Sequence, residues 1–192
     1  MIPKRISAKL FATDPSAEVD ADAFISVFHE FIREKSVEGI LIDVADYSHV
    51  PEGPGVVLIG HDVDYSIDMN EGKAGMLTVG KRLEGGSVAD HLADTVRKCL
   101  AAAKATEANG ETGATFATGS LKLQIVDRLV AANDDAGYDA FKGEFEALAA
   151  QLFGDGASVV RADADEPRKP LAALVTAENA GDIDALLARL ER

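Results

Sequence analysis

Tryptophan is absent from this sequence, cysteine occurs once, and aromatic residues make up only 6% of the 192 positions. A single thiol, Cys99, excludes an intramolecular disulfide and any thiolate-based zinc cluster. Basic side chains are also scarce: 19 Lys and Arg face 33 Asp and Glu, a formal net charge of −14. Binding nucleic acid through its backbone needs clustered Lys and Arg, and here the basic pairs Lys81-Arg82, Arg97-Lys98 and Arg168-Lys169 are isolated, so no nucleic-acid partner is expected. The excess acid reads as a solubility feature. No apolar run approaches membrane-spanning length, and the opening MIPKRISAKLFATD lacks the apolar core of a signal peptide. A cytoplasmic protein without a membrane partner is the expectation.

What is present is ample apolar material, 47% of residues, much of it in Ala-rich stretches. A chain of this length should bury roughly 70% of its unfolded surface. Alternation predicts a strand over Ile6–Ala12, ended by Thr13, Asp14 and Pro15. Phe24, Val27, Phe28, Phe31 and Ile32 recur at helical spacing, with Asp20 or Asp22 as N-cap and an end near Lys35. A strand over Ile40–Ala45 follows. Ser87 with Asp90 forms a capping box for a helix to about Thr106. After a linker over Asn109–Gly113, Thr115–Ala131 reads as extended with a bend near Gly119. A helix over Tyr138–Phe153, strands over Ser158–Ala164 and Leu171–Ala177, and a terminal helix capped by Asn179 complete the chain.

The two halves resemble each other. Asp22-Ala23-Phe24 with Phe28 recurs as Asp139-Ala140-Phe141 with Phe145, Ala45-Asp46 recurs as Ala162-Asp163, and Ser7-Ala8-Lys9-Leu10 is similar to Ser120-Leu121-Lys122-Leu123. The pattern predicts an α+β fold built by internal duplication from two ferredoxin-like (split βαβ) halves, with antiparallel sheets and helices on one face. The halves would span residues 1–108, with an extra hairpin, and 114–192, either as two units or fused into one globular domain.

Chemistry-bearing residues concentrate in His49–Met69. Pro51, Gly53, Pro54 and Gly55 make a rigid turn, and the following residues read as one extended run. At period two, Val57, Ile59, His61, Val63, Tyr65 and Ile67 share one face of it, and the other face turns acidic past Gly60. Asn70–Lys73 then reverses the chain into a hairpin partner over Ala74–Arg82. A small-ligand pocket formed by Tyr47, His49, Gly53, Gly55, His61 and Tyr65 is the leading functional expectation, because glycines let a ligand approach backbone. The alternative is a metal-dependent enzyme, with His49, His61, Asp62 and Asp64 around zinc, manganese or iron and Asp62 or Asp64 as ligand or general base. A structural or protein-interaction module is the third reading. Homo-oligomerisation through sheet edges or helices is expected in each case. Phosphate-loop, zinc-protease, nucleophile-elbow and dinucleotide motifs all fail at a required position.

Overall fold

The computed structural model describes residues 2–50 and 53–191. Among them are eight strands and four α-helices, in the order β1 (Arg5–Ala12), α1 (Ala21–Glu34), β2 (Leu41–Tyr47), β3 (Gly55–Gly60), β4 (Val63–Asp68), β5 (Gly75–Lys81), α2 (Val88–Asn109), β6 (Phe116–Ile125), α3 (Asp135–Phe153), β7 (Ser158–Ala162), β8 (Leu171–Thr176) and α4 (Ile183–Leu190). The class is α+β. The strands form one sheet, ordered β2-β3-β4-β5-β1-β6-β8-β7, in which every neighbouring pair is antiparallel. The pairing of β1 with β6 joins residues 5–81 and 116–176 into one continuous sheet.

All four helices cover one face. Ile6, Ala8 and Leu10 of β1, Leu121, Leu123 and Ile125 of β6, and Val63, Tyr65 and Ile67 of β4 point to that face and are buried in one core with Phe28, Leu92, Cys99 and Phe145 from the helices. Each fully buried Val, Leu, Ile or Phe side chain among them contributes about 1.5–3 kcal/mol. Among the described residues no helix covers the other face. An antiparallel sheet tolerates one solvated face, and strand alternation supplies it.

Local signals explain most boundaries. Asp20 caps α1 by accepting from the Ala23 amide, and Ser87 and Asp90 form the reciprocal capping box of α2. Beyond Ile125 the chain leaves the sheet, because Val130 and Ala131 donate their amides to the Asp127 carbonyl in a turn. The expected bend at Gly119 falls within an irregularity in the β1–β6 register. Two helix starts differ from expectation: Asp134, not a residue near Tyr138, opens α3, and Asp182, not Asn179, caps α4, each accepting an amide three residues on.

The largest difference lies in the stretch expected to be one extended run. The chain reverses at His61-Asp62, so Val56, Val57 and Leu58 pair back on Ile67, Ser66 and Tyr65. Reversal changes the faces: Val56 and Leu58 join Val63, Tyr65 and Ile67 on the helix side, whereas Val57 and Ile59 face the open side. The turn satisfies its own polar groups, since Gly60 donates its amide to Asp64 and Lys81 holds both the Gly60 carbonyl and the Asp64 carboxylate. The turn at Asn70–Gly72 and the hairpin partner β5 are as expected.

Candidate functional site

The residues singled out around His49–Met69 are spread along the β3–β4 hairpin. Tyr47 and His49 are exposed near the start of β3, and His61 and Asp62 are exposed at its far end. A six-residue strand, roughly 17–20 Å long, separates the two histidines. His61 Nδ1 lies 2.7 Å from Asp62 Oδ1, whereas Asp64 is drawn to Lys81 at 2.7 Å. The Tyr65 ring belongs to the core, and its hydroxyl donates to the Glu38 carbonyl at 2.9 Å. Burial pushes its pKa up from the ordinary tyrosine value. Among the described residues no group of three or more His, Cys, Asp or Glu is placed to hold a metal ion. Pro51, from the expected Gly/Pro turn, lies outside the described residues.

Gly55 serves the hairpin itself. Its φ is 66°, and a Cβ there would sit 2.1 Å from the Ile67 carbonyl oxygen. Gly55→Ala is therefore expected to cost about 2–4 kcal/mol from left-handed strain plus a backbone clash, measured by urea unfolding. An effect within experimental scatter would show that the close approach of β3 to β4 is dispensable.

Polar groups converge elsewhere, on the helix-free face. Lys9 of β1 and Lys122 of β6 are directly opposite each other in the register, yet they are only 6% and 8% exposed. Like charges directly opposite on neighbouring strands are destabilising, so carboxylates must be close at hand. Lys9 Nζ lies 2.5 Å from Asp68 Oδ2 and 5.6 Å from the Phe11 ring centre. To reach Asp68 in β4 it crosses β5 at Gly75, where a Cβ would come within 3.0 Å of Lys9 Cε. Lys122 lies 2.7 Å from Asp163 Oδ2 and 3.1 Å from Glu71 Oε1. Lys169, in the β7–β8 connection, closes the network at 2.9 Å from Glu71 and 3.3 Å from Asp163.

Two of these acids are held in strained backbone. Glu71 (φ 63°) and Asp163 (φ 52°) are non-glycine residues in the left-handed region, which costs about 1–3 kcal/mol each. Both aim carboxylates at Lys122 from turns on opposite sides of β1 and β6. A cavity of about 180 Å³ opens beside Glu71, with the three lysines and Asp68 around it and Phe11 and Leu77 as apolar wall.

Burial lowers the Lys9 ammonium below its usual range, against the opposing pull of Asp68. Burial alone would raise Glu71, but hydrogen bonds from Lys169 and Lys122 outweigh it and bring its pKa down to about 2. The unfolded chain thus takes up this proton near 4.5 and the folded chain only near 2. Stability from Glu71 is complete above the higher value and is lost as pH falls through the lower. On the order of 1 kcal/mol, after solvent screening of a side chain about a third exposed, should disappear over that window. The pH dependence of urea unfolding should flatten in Glu71→Gln, and an unchanged profile would assign the acid lability to other carboxylates.

Cys99 is fully buried against β1 and β5, and burial pushes its thiol up to about 11, the profile of a core side chain. No helix among the described residues is long and apolar enough to cross a membrane. Comparison with protein-family models, with curated proteins and with solved structures finds no match for this chain. The cluster itself therefore carries the functional argument.

Lys9 and Lys122 had a sequence signal, the resemblance of Ser7–Leu10 to Ser120–Leu123. Read by alternation, both lysines are merely solvent-facing residues. Asp68, Glu71 and Asp163 had no signal that tied them to one another.

Proposed function

We propose that this chain is a cytoplasmic small-molecule-binding protein whose ligand carries a carboxylate and sits on the open face of the sheet between Lys9, Lys122 and Lys169. The observation that carries this reading is the directly opposed, nearly buried pair Lys9–Lys122 at the centre of the sheet. A strand pairing that breaks a local rule is expected at a functional site more than elsewhere. Glu71 and Asp163 occupy the positions on Lys122 that a ligand carboxylate would take, and both lie on turns. Displacing one of them releases left-handed strain, which offsets part of the ion pair given up. The apolar wall of Phe11 and Leu77 favours a ligand with a short hydrocarbon part.

Thermal unfolding in the presence of acetate, succinate or glutamate tests the reading, with isothermal titration for any compound that acts. At least one should raise the unfolding temperature saturably, and Lys122→Gln should lose that response while keeping the fold. No response to any of the three in the native chain would sink the proposal.

The internal duplication belongs to the same reading. β6 and β7 are parallel with β8 between them, and β1 and β2 are parallel with β3, β4 and β5 between them. In addition, β2 and β7 start at equal spacing from Phe24 and Phe141. On this view each half is a split βαβ unit, the first enlarged by a hairpin, and each contributes one central lysine to the site. Self-association through the edge strand β2, where Ile42 and Tyr47 of the strand and Ile40 just before it are exposed, is a further part of the proposal. Sedimentation that finds only monomer would remove it.

A further inference from the structure

Resting on the binding reading above, we infer that Lys9 is an amine nucleophile that forms a reversible imine with a small aldehyde or ketone bearing a carboxylate. Its Nζ lines the open-face cavity, with 7% of the side chain exposed, and has one carboxylate partner, Asp68 Oδ2, at 2.5 Å. The route across Gly75 fixes the stem of the side chain against β5, so the amine is presented at a defined place. Lys122 lies opposite on β6 and Lys169 on the other side of Glu71, two cations suited to a substrate carboxylate while Lys9 meets the carbonyl carbon. A lysine becomes nucleophilic when desolvated or placed beside another cation, and both conditions hold at Lys9. The lowered ammonium pKa agrees with this placement.

The step balances without any other reagent. Asp68 accepts one proton from the Lys9 ammonium, and the free amine attacks the carbonyl carbon, forming the C–N bond as the C=O pair moves to oxygen. A second proton passes from nitrogen to that oxygen, giving a carbinolamine. Asp68 returns its proton to the hydroxyl, the C–O bond breaks, and water leaves. The product is a protonated imine on Lys9 with Asp68 again ionised. Net, ammonium plus carbonyl gives iminium plus water.

The test treats the full chain with glyoxylate and sodium cyanoborohydride at neutral pH, where hydride addition to the iminium carbon leaves a stable carboxymethyl-lysine. Peptide mapping by mass spectrometry then locates it among all the lysines, and thermal unfolding with succinate runs in parallel. Lys9 should be labelled about tenfold or more above the mean of the exposed lysines despite its burial, the mark of an activated amine. Succinate should protect it. The native chain supplies the deciding result, so the test does not depend on a Lys9 variant folding. Labelling spread over exposed lysines with Lys9 spared, alongside a retained response to succinate, overturns the imine and leaves Lys9 as a charge in a binding site. Absence of the Lys9 adduct together with no thermal response to acetate, succinate or glutamate overturns the imine and the binding reading together.

Discussion

Asp68→Ala should destabilise the fold by about 3–5 kcal/mol at neutral pH, because it leaves the Lys9 ammonium buried without its counterion. The pair is short, with side chains only 7% and 8% exposed, so solvent compensates poorly for the lost carboxylate. Removing both charges should behave differently. Lys9→Met with Asp68→Leu replaces the pair by apolar groups of similar volume, and such exchanges are neutral or stabilising by about 1–4 kcal/mol. A thermodynamic cycle from urea unfolding therefore gives a large single-variant loss that the double variant cancels.

A pH dependence goes with it. In Asp68→Ala the pull that partly opposes burial at Lys9 is gone, so its folded-state pKa falls further below the ordinary 10.5. Between that value and 10.5 the unfolded chain binds more protons than the folded one, and the stability of the variant rises with pH. The deficit against the native chain should be smallest above pH 10.5. A single-variant loss below about 1 kcal/mol would mean that Lys9 finds another partner or water, and that the cluster is looser than its distances imply.

Phe28→Ala should cost about 3–5 kcal/mol, the range for deleting a buried aromatic ring and leaving a cavity that its neighbours only partly fill. Phe28 is fully buried in the middle of α1, with ring centres of Phe24 at 5.8 Å edge-on and Phe31 at 5.9 Å. These three rings seat α1 on the sheet, and with so few aromatics in the chain no large ring stands ready to replace them. Leu129→Ala is the matching control, since Leu129 is fully exposed, and a change within about 0.5 kcal/mol is expected there. Equal effects at the two positions would contradict the burial of α1.

Which parts of the fold were legible follows from the range over which each determinant acts. The α1 register was readable because Phe24, Val27, Phe28 and Phe31 repeat within one helix and Asp20 caps it three residues before Ala23. The capping box of α2 is likewise contained in Ser87–Asp90. The β3–β4 hairpin was misread because Val57, Ile59, His61, Val63, Tyr65 and Ile67 alternate through the turn without interruption. His61-Asp62 is not a turn pair with a strong signature, and its reversal is secured by Lys81 at the end of β5 and Arg82 just beyond it, residues with no local relation to it. The misreading carried into the site, since the faces assigned to His61 and Tyr65 depended on it.

By itself the sequence determined the class, the single thiol, the acidic surface, the position of the helices and the alternation that makes one face of each strand apolar. These are properties of composition and short-range periodicity, which act within a turn or a strand. Only the tertiary structure decided that β1 lies beside β6 in a register that sets Lys9 against Lys122, that Gly75 lets Lys9 reach Asp68, and that two turns bring Glu71 and Asp163 to the same ammonium. Strand pairing between distant segments is set by how four amphipathic helices and eight strands share one core. Alternation tells each lysine which face to take, and the packing of that core decides which residue it meets there.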